Sequence, residues 1–132
     1  MDHRDIVDIQ QLMALYGHAA DAADQKFLPL VFTEDAVFDA RPCGRDLYLG
    51  LPAIAAWFAQ GKPPHPPSHH LTNAWVHEEG GEVRVWSKWY LIARDTGTGR
   101  SGDYHDVVVR TPAGWRIRHR VATVRYPEPR GA

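Results

Sequence analysis

The hydrophobic period of this chain changes once, near residue 68, and that change limits the fold more than any other feature. Before it, apolar residues recur at helical spacing: Ile6, Ile9, Leu12, Met13, Tyr16, Ala19 and Ala20 form one stripe over residues 5–20. After it the period is two. Residues 69–78, 82–94, 103–111 and 115–126 each read as a strand. Glu79-Gly80-Gly81 and Pro112-Ala113-Gly114 read as tight turns, and residues 95–102 as a longer loop with three glycines. Helices first and an antiparallel meander second, without strand–helix–strand alternation, imply an α+β domain. Long curved strands covered by helices would enclose a cone-shaped pocket.

Between the stripe and the meander lie two further predicted helices and a short strand. Asp24 reads as the N-cap of a second, short helix that turns Phe27, Leu28, Val31 and Phe32 inward, with Pro29 near its first turn. Ala36-Val37-Phe38-Asp39 reads as a strand and residues 41–50 as a loop. Pro52 starts a third helix, with Ile54, Trp57 and Phe58 at i, i+3, i+4, and Gly61 stops it. Lys62-Pro63-Pro64-His65-Pro66-Pro67 reads as a stiff connector. The expected architecture is one domain over residues 1–132, with three N-terminal helices over a curved antiparallel or mixed sheet.

Composition removes several function classes. A chain of 132 residues that is 44% apolar, with five Trp, five Tyr and four Phe, can fill one core and line a cavity. The formal net charge is −1 and no basic stripe appears, which speaks against a nucleic-acid partner. No apolar stretch is long enough to span a membrane, and Met1-Asp2-His3-Arg4-Asp5 is not a signal peptide. The lone Cys43 excludes an internal disulfide and fits a reducing cytoplasm. In its Pro/Gly-rich loop it reads as incidental rather than as a nucleophile. No HExxH pattern occurs, and Gly97, Gly99 and Gly102 lie between strands rather than opening a helix. No metal and no cofactor are expected.

Two ionisable residues carry the chemistry. Asp21 closes the first helix and His69 opens the first long strand. A carboxylate that orients an imidazole makes a general base working near neutral pH. Alternation places His69, Leu71, Asn73 and Trp75 on one strand face and His70, Thr72, Ala74 and Val76 on the other. Tyr104, Asp106 and Val108 share a face, with His105 and Val107 opposite. Periodicity does not say which face lines the cavity. Asp106 is either a lining residue or the partner of Arg116, Arg118 or Arg120 in a structural ion pair. Trp57, Trp75, Trp86 and Trp89 are core, interface or lining, and Trp115, after a turn glycine, belongs to the core.

The chain resembles the SnoaL-like branch of the nuclear-transport-factor-like superfamily over nearly its whole length. The resemblance rests on the order and spacing of Ile9-Gln10-Gln11-Leu12, Tyr16 with Asp21 and Asp24, Phe32-Thr33-Glu34-Asp35-Ala36, Gly50, His69 with Asn73, and Gly102-Asp103-Tyr104-His105-Asp106 followed by Gly114-Trp115-Arg116-Ile117. The superfamily includes scytalone dehydratase, bile-acid dehydratase, hexachlorocyclohexane dehydrochlorinase, ketosteroid isomerase and SnoaL-type polyketide cyclases. The resemblance implies that Asp21 orients His69 and that Tyr16 takes part in catalysis. It implies that Tyr104 and Asp106 line the pocket and that Arg120 matches a pocket arginine. The offset from His69 to Asn73 favours His69 over His70, with His70 as the alternative should the register differ by one.

These readings converge on a cofactor-independent lyase or isomerase, dehydratase-like, acting on a hydrophobic and cyclic small molecule. Catalysis falls to Asp21, His69 and Tyr16, and substrate binding to Asn73, Tyr104, Asp106, Arg120 and His70. Aldol-type polyketide cyclisation and a non-catalytic ligand-binding or assembly subunit are the alternatives. The sheet face away from the helices carries large side chains, so a homodimer packed through that face is expected.

Overall fold

The computed structural model describes residues 1–22, 25–60 and 68–128. Helix α1 (His3–Asp21) opens on a capping box: Asp2 accepts from the Asp5 backbone N–H at 3.0 Å, and Asp5 accepts from that of Asp2 at 3.1 Å. Its stripe of Ile9, Leu12, Met13, Tyr16, Ala19 and Ala20 is buried. Burying each of the larger side chains stabilises the fold by about 1.5–3 kcal/mol. The predicted second helix is a single 3₁₀ turn, Leu28–Leu30. Pro29 has no N–H to continue a ladder, and Phe32 already begins β1 (Phe32–Asp39), four residues earlier than the sequence suggested. Asp24, Gly61 and the connector at 62–67 lie outside the described residues.

A second 3₁₀ turn (Arg41–Cys43) leads to the short strand β2 (Leu47–Leu49), which the sequence reading placed in a loop. Helix α2 (Leu51–Gln60) follows, with Ile54 and Phe58 buried and Trp57 stacked on Tyr48 at 4.1 Å. Among the described residues there are thus two α-helices, not three.

The meander matches the period-two segments: β3 (His70–Glu79), β4 (Glu82–Ile92), β5 (Gly99–Thr111) and β6 (Gly114–Tyr126). Gly80 and Gly81 join β3 to β4 with φ of 60° and 79°, the positive values a type I′ turn requires. The curved sheet has six strands in the order β2-β1-β6-β5-β4-β3. It is mixed, because β1 runs parallel to β6 and every other pair is antiparallel. Tyr16, Phe32, Phe38, Phe58, Val85, Tyr104, Val108 and Ile117 bring both helices and the inner sheet face into one core.

One strand departs from simple alternation. Asn73 has φ of 57°, a left-handed conformation that asparagine tolerates better than most residues. The β3–β4 ladder slips there, between Thr72 and Trp75. A bulge shifts side-chain parity by one. Leu71, Ala74 and Val76 therefore pack on the core, while Trp75 stands opposite Trp86 on the outer face. Trp75 and Asn73 do not share the inner face with Leu71, as strict alternation predicted.

Candidate active site

The end of α1 lies against the start of β3. Gly17 makes this approach close: a Cβ there would sit 3.1 Å from the His69 carbonyl oxygen. One turn later, Asp21 reaches His69 twice. Its carboxylate accepts from the His69 backbone N–H, at 2.9 Å to Oδ2, and Oδ1 lies 2.7 Å from the ring Nδ1. The backbone bond fixes the carboxylate, and the ring bond then fixes the imidazole. With the proton on Nδ1, facing Asp21, Nε2 carries the lone pair.

His69 lines a cavity of about 510 Å³ between the helices and the inner sheet face. Tyr16 and Tyr104 line it too, their hydroxyls 3.4 Å apart and their rings edge to face. Phe38, Trp57, Phe58, Trp89 and Leu91 supply apolar wall. Gly102 makes room for Trp89, because a Cβ there would fall 2.6 Å from the indole and 1.9 Å from the Thr123 carbonyl oxygen. The indole N–H donates to that same oxygen at 3.1 Å.

Beneath the two phenols lies a buried charge pair. Arg120 is fully buried, and its Nε and Nη2 each donate to Asp106 at 2.7 Å. Its guanidinium sits 4.0 Å from the Tyr16 ring centroid and 3.9 Å from that of Tyr104. Burial pulls the Arg120 pKa down, but the Asp106 carboxylate more than reverses this, and the side chain stays a cation. Burial pushes the Tyr16 hydroxyl above its ordinary pKa, with Arg120 pulling part of the way back. Burial pushes Tyr104 well above its ordinary value. Both phenols are therefore protonated donors near neutral pH.

The structure thus brings Asp21, His69, Tyr16 and Tyr104 together. Asp106 and Arg120 adjoin the phenols from below rather than lining the cavity: Nε and Nη2 of Arg120 are held by Asp106, while its buried Nη1 has no hydrogen-bond partner among the described residues. His70 and Asn73 lie elsewhere. His70 is exposed, opposite Tyr90 on the outer face, with its Nε2 2.8 Å from the Ser68 hydroxyl. Asn73 is exposed at the bulge. Trp115 is partly buried and packs against the core, and its indole N–H donates to Asp5 at 3.3 Å, tying α1 to the sheet. Sequence reasoning missed Cys43, Arg45, Arg94 and Arg100, all of which line the cavity. Arg100 had a readable signal: it has the same parity as Tyr104 and Asp106, but the glycines around it suggested a loop.

The sequence model of the SnoaL-like domain matches residues 2–121. This chain belongs to the SnoaL-like family. An uncharacterised protein of Mycobacterium tuberculosis strain H37Rv is 32% identical over 139 residues, covering 90% of this SnoaL-like chain and 84% of the relative. Among solved structures, a nuclear-transport-factor-like protein of Novosphingobium aromaticivorans with a cystatin-like fold superposes with a TM-score of 0.79 at 26% identity, over 95% of this chain and 84% of that one. A candidate aromatic ring hydroxylase from the same organism superposes at 0.76 with 29% identity, over 96% and 93%. A candidate scytalone dehydratase, also from that organism, shares the fold at 0.75 with 21% identity, over 91% and 83%. Among the described residues of the SnoaL-like chain, no helix is long and apolar enough to cross a membrane.

Proposed function

We propose that this SnoaL-like protein is a dehydratase-like lyase or isomerase whose general base is His69, oriented by Asp21. The observation that carries the reading is the 2.7 Å contact between Asp21 Oδ1 and His69 Nδ1, made by a histidine that lines the cavity walled by Phe38, Trp57, Phe58, Trp89 and Leu91. His69 Nε2 takes a proton from a substrate carbon, and Asp21 stabilises the imidazolium that forms. Tyr16 and Tyr104 donate hydrogen bonds to the oxygen on which charge develops. In a dehydration the electron pair left on carbon forms the double bond as the C–O bond breaks. The departing hydroxyl takes the proton back from the His69 imidazolium and leaves as water, which returns the base to its neutral form. General-base catalysis typically contributes about 10²–10⁴-fold, and each oriented donor to a developing oxyanion a comparable factor.

Asp21→Asn removes the charge that holds the productive tautomer. It should lower kcat about 10²-fold or more, while the far-UV spectrum and the urea midpoint stay close to wild type. His69→Gln should be at least as damaging. Retention of full turnover by both variants, on any substrate found by screening hydroxylated polycyclic compounds, would refute the base assignment. Aldol-type cyclisation uses the same base and donors. Product analysis separates it from dehydration, because only dehydration releases water without forming a new ring.

The reading includes a homodimer through the outer sheet face. Trp75, Trp86 and Tyr90 stand there with 56%, 38% and 46% of their surface exposed, and Trp75 stacks on His77 and Trp86 on His105. Asp103 underlies that face. It accepts from the Trp86 indole and from Lys88, each at 2.6 Å, and from Arg125. These partners outweigh its burial and hold its pKa well below the usual carboxylate range.

A further inference from the structure

The cavity mouth carries a charge that the reaction scheme does not use. Arg100 lies on β5 opposite Leu91 of β4, in the row that continues inward through Gly102 and Tyr104 to Asp106. Arg100 and Tyr104 of that row line the cavity, and Arg100 is half-buried. Arg45, from the loop between the second 3₁₀ turn and β2, lines the same cavity. Its loop is held shut by backbone bonds at Ala40, which donates to Asp46 at 3.0 Å and accepts from Arg45 at 3.1 Å. Both guanidiniums bear on the Cys43 thiol, each opposing the rise in pKa that burial imposes. Among the described residues, neither Arg45 nor Arg100 has a carboxylate partner. Arg94 and Asp95 complete the rim, so the mouth is net cationic on a chain whose formal net charge is −1.

A half-buried arginine on an inward sheet row loses hydration and normally recovers it from an acid. Among the described residues no acid fills that role for Arg100. We infer that this protein's ligand is a carboxylic acid with an apolar, ring-bearing body, bound with its carboxylate between Arg45 and Arg100 at the mouth and its reacting end toward His69, Tyr16 and Tyr104. The inference rests on the proposed use of this cavity for catalysis and adds the substrate class. A planar carboxylate matches the guanidinium fork. Asp95 on the same rim favours a singly charged group over a dianion. Along β5, at about 3.3 Å per residue, Arg100 and Tyr104 are roughly 13 Å apart at their α-carbons, room for a ring system between the anchor and the phenols.

Calorimetric titration with naphthoate, its neutral isostere naphthamide and naphthyl phosphate tests this directly. Naphthoate should bind wild type about tenfold or more tighter than naphthamide, the equivalent of one charge-assisted hydrogen bond, with the advantage shrinking as salt is raised. Arg45→Gln with Arg100→Gln should erase that advantage and leave naphthamide binding unchanged. Arg4→Gln, the same type of charge loss at the exposed start of α1, should leave the advantage intact. Equal binding of acid and amide to wild type, or an advantage that survives the double variant, would overturn the inference. Tighter binding of naphthyl phosphate than of naphthoate would overturn the choice of carboxylate. Asp21→Asn should bind naphthoate as wild type does. Acid selectivity can therefore hold while the base assignment fails, and the reverse result is equally distinguishable.

Discussion

Arg120 and Asp106 are where individual side chains bear most on both stability and chemistry. Neither has access to water, so each is stable only because the other is present. Asp106→Ala should cost about 3–5 kcal/mol in urea unfolding, since it leaves an uncompensated cation under two aromatic rings. Asp106→Leu combined with Arg120→Met should recover most of that loss, because an apolar pair of similar volume carries no desolvation cost. Activity should not recover with it, as the phenols would have lost the cation that polarises them. A double variant no more stable than Asp106→Ala would show that the pair is not the source of the cost. The pairing itself was only partly legible. Counting back from the Thr111–Gly114 turn puts Asp106 opposite His119, and only the slip in the ladder between Val107 and Val108 brings Arg120 there. Asp21 and His69 were legible because a helix end and a strand start can be read locally, without knowing the register of a distant strand.

At the scale of elements, α1, α2 and the hairpins follow from hydrophobic period and turn residues, and these were readable. Irregularities within elements were not. Pro29 marked a boundary that the neighbouring apolar spacing concealed. The bulge at Asn73 has no local signature beyond a residue able to adopt positive φ. Its role can be tested by substitution. Asn73→Gly should leave stability within a few tenths of a kcal/mol, since glycine adopts this conformation freely. Asn73→Val should destabilise by about 1–2 kcal/mol in urea unfolding, because a β-branched residue is strained there. If Val proved as stable as Asn, the left-handed bulge would not be what sets the parity of β3. That parity decides which face receives Trp75, so the bulge separates the inner face from the outer one within a single strand.

The whole molecule presents two sheet faces with different tasks. Helices cover one, and the proposed partner subunit covers the other. Sedimentation at micromolar concentration should give a dimer, and Trp75→Glu with Tyr90→Glu should give a monomer with an unchanged far-UV spectrum. A wild-type chain that sediments as a folded monomer would remove the dimer from the proposal. The helical layer meets the inner face most tightly where Gly17 crosses the His69 carbonyl. Alanine in its place would favour α1 by about 0.5–1 kcal/mol through helix propensity. The added methyl would also press on backbone at 3.1 Å, one turn from the carboxylate that must reach an imidazole. A missing methyl group thus serves as the spacer gauge of the dyad. The chain gives up intrinsic helix strength at a residue with no chemistry of its own, and the clearance so gained sets how far Asp21 has to reach.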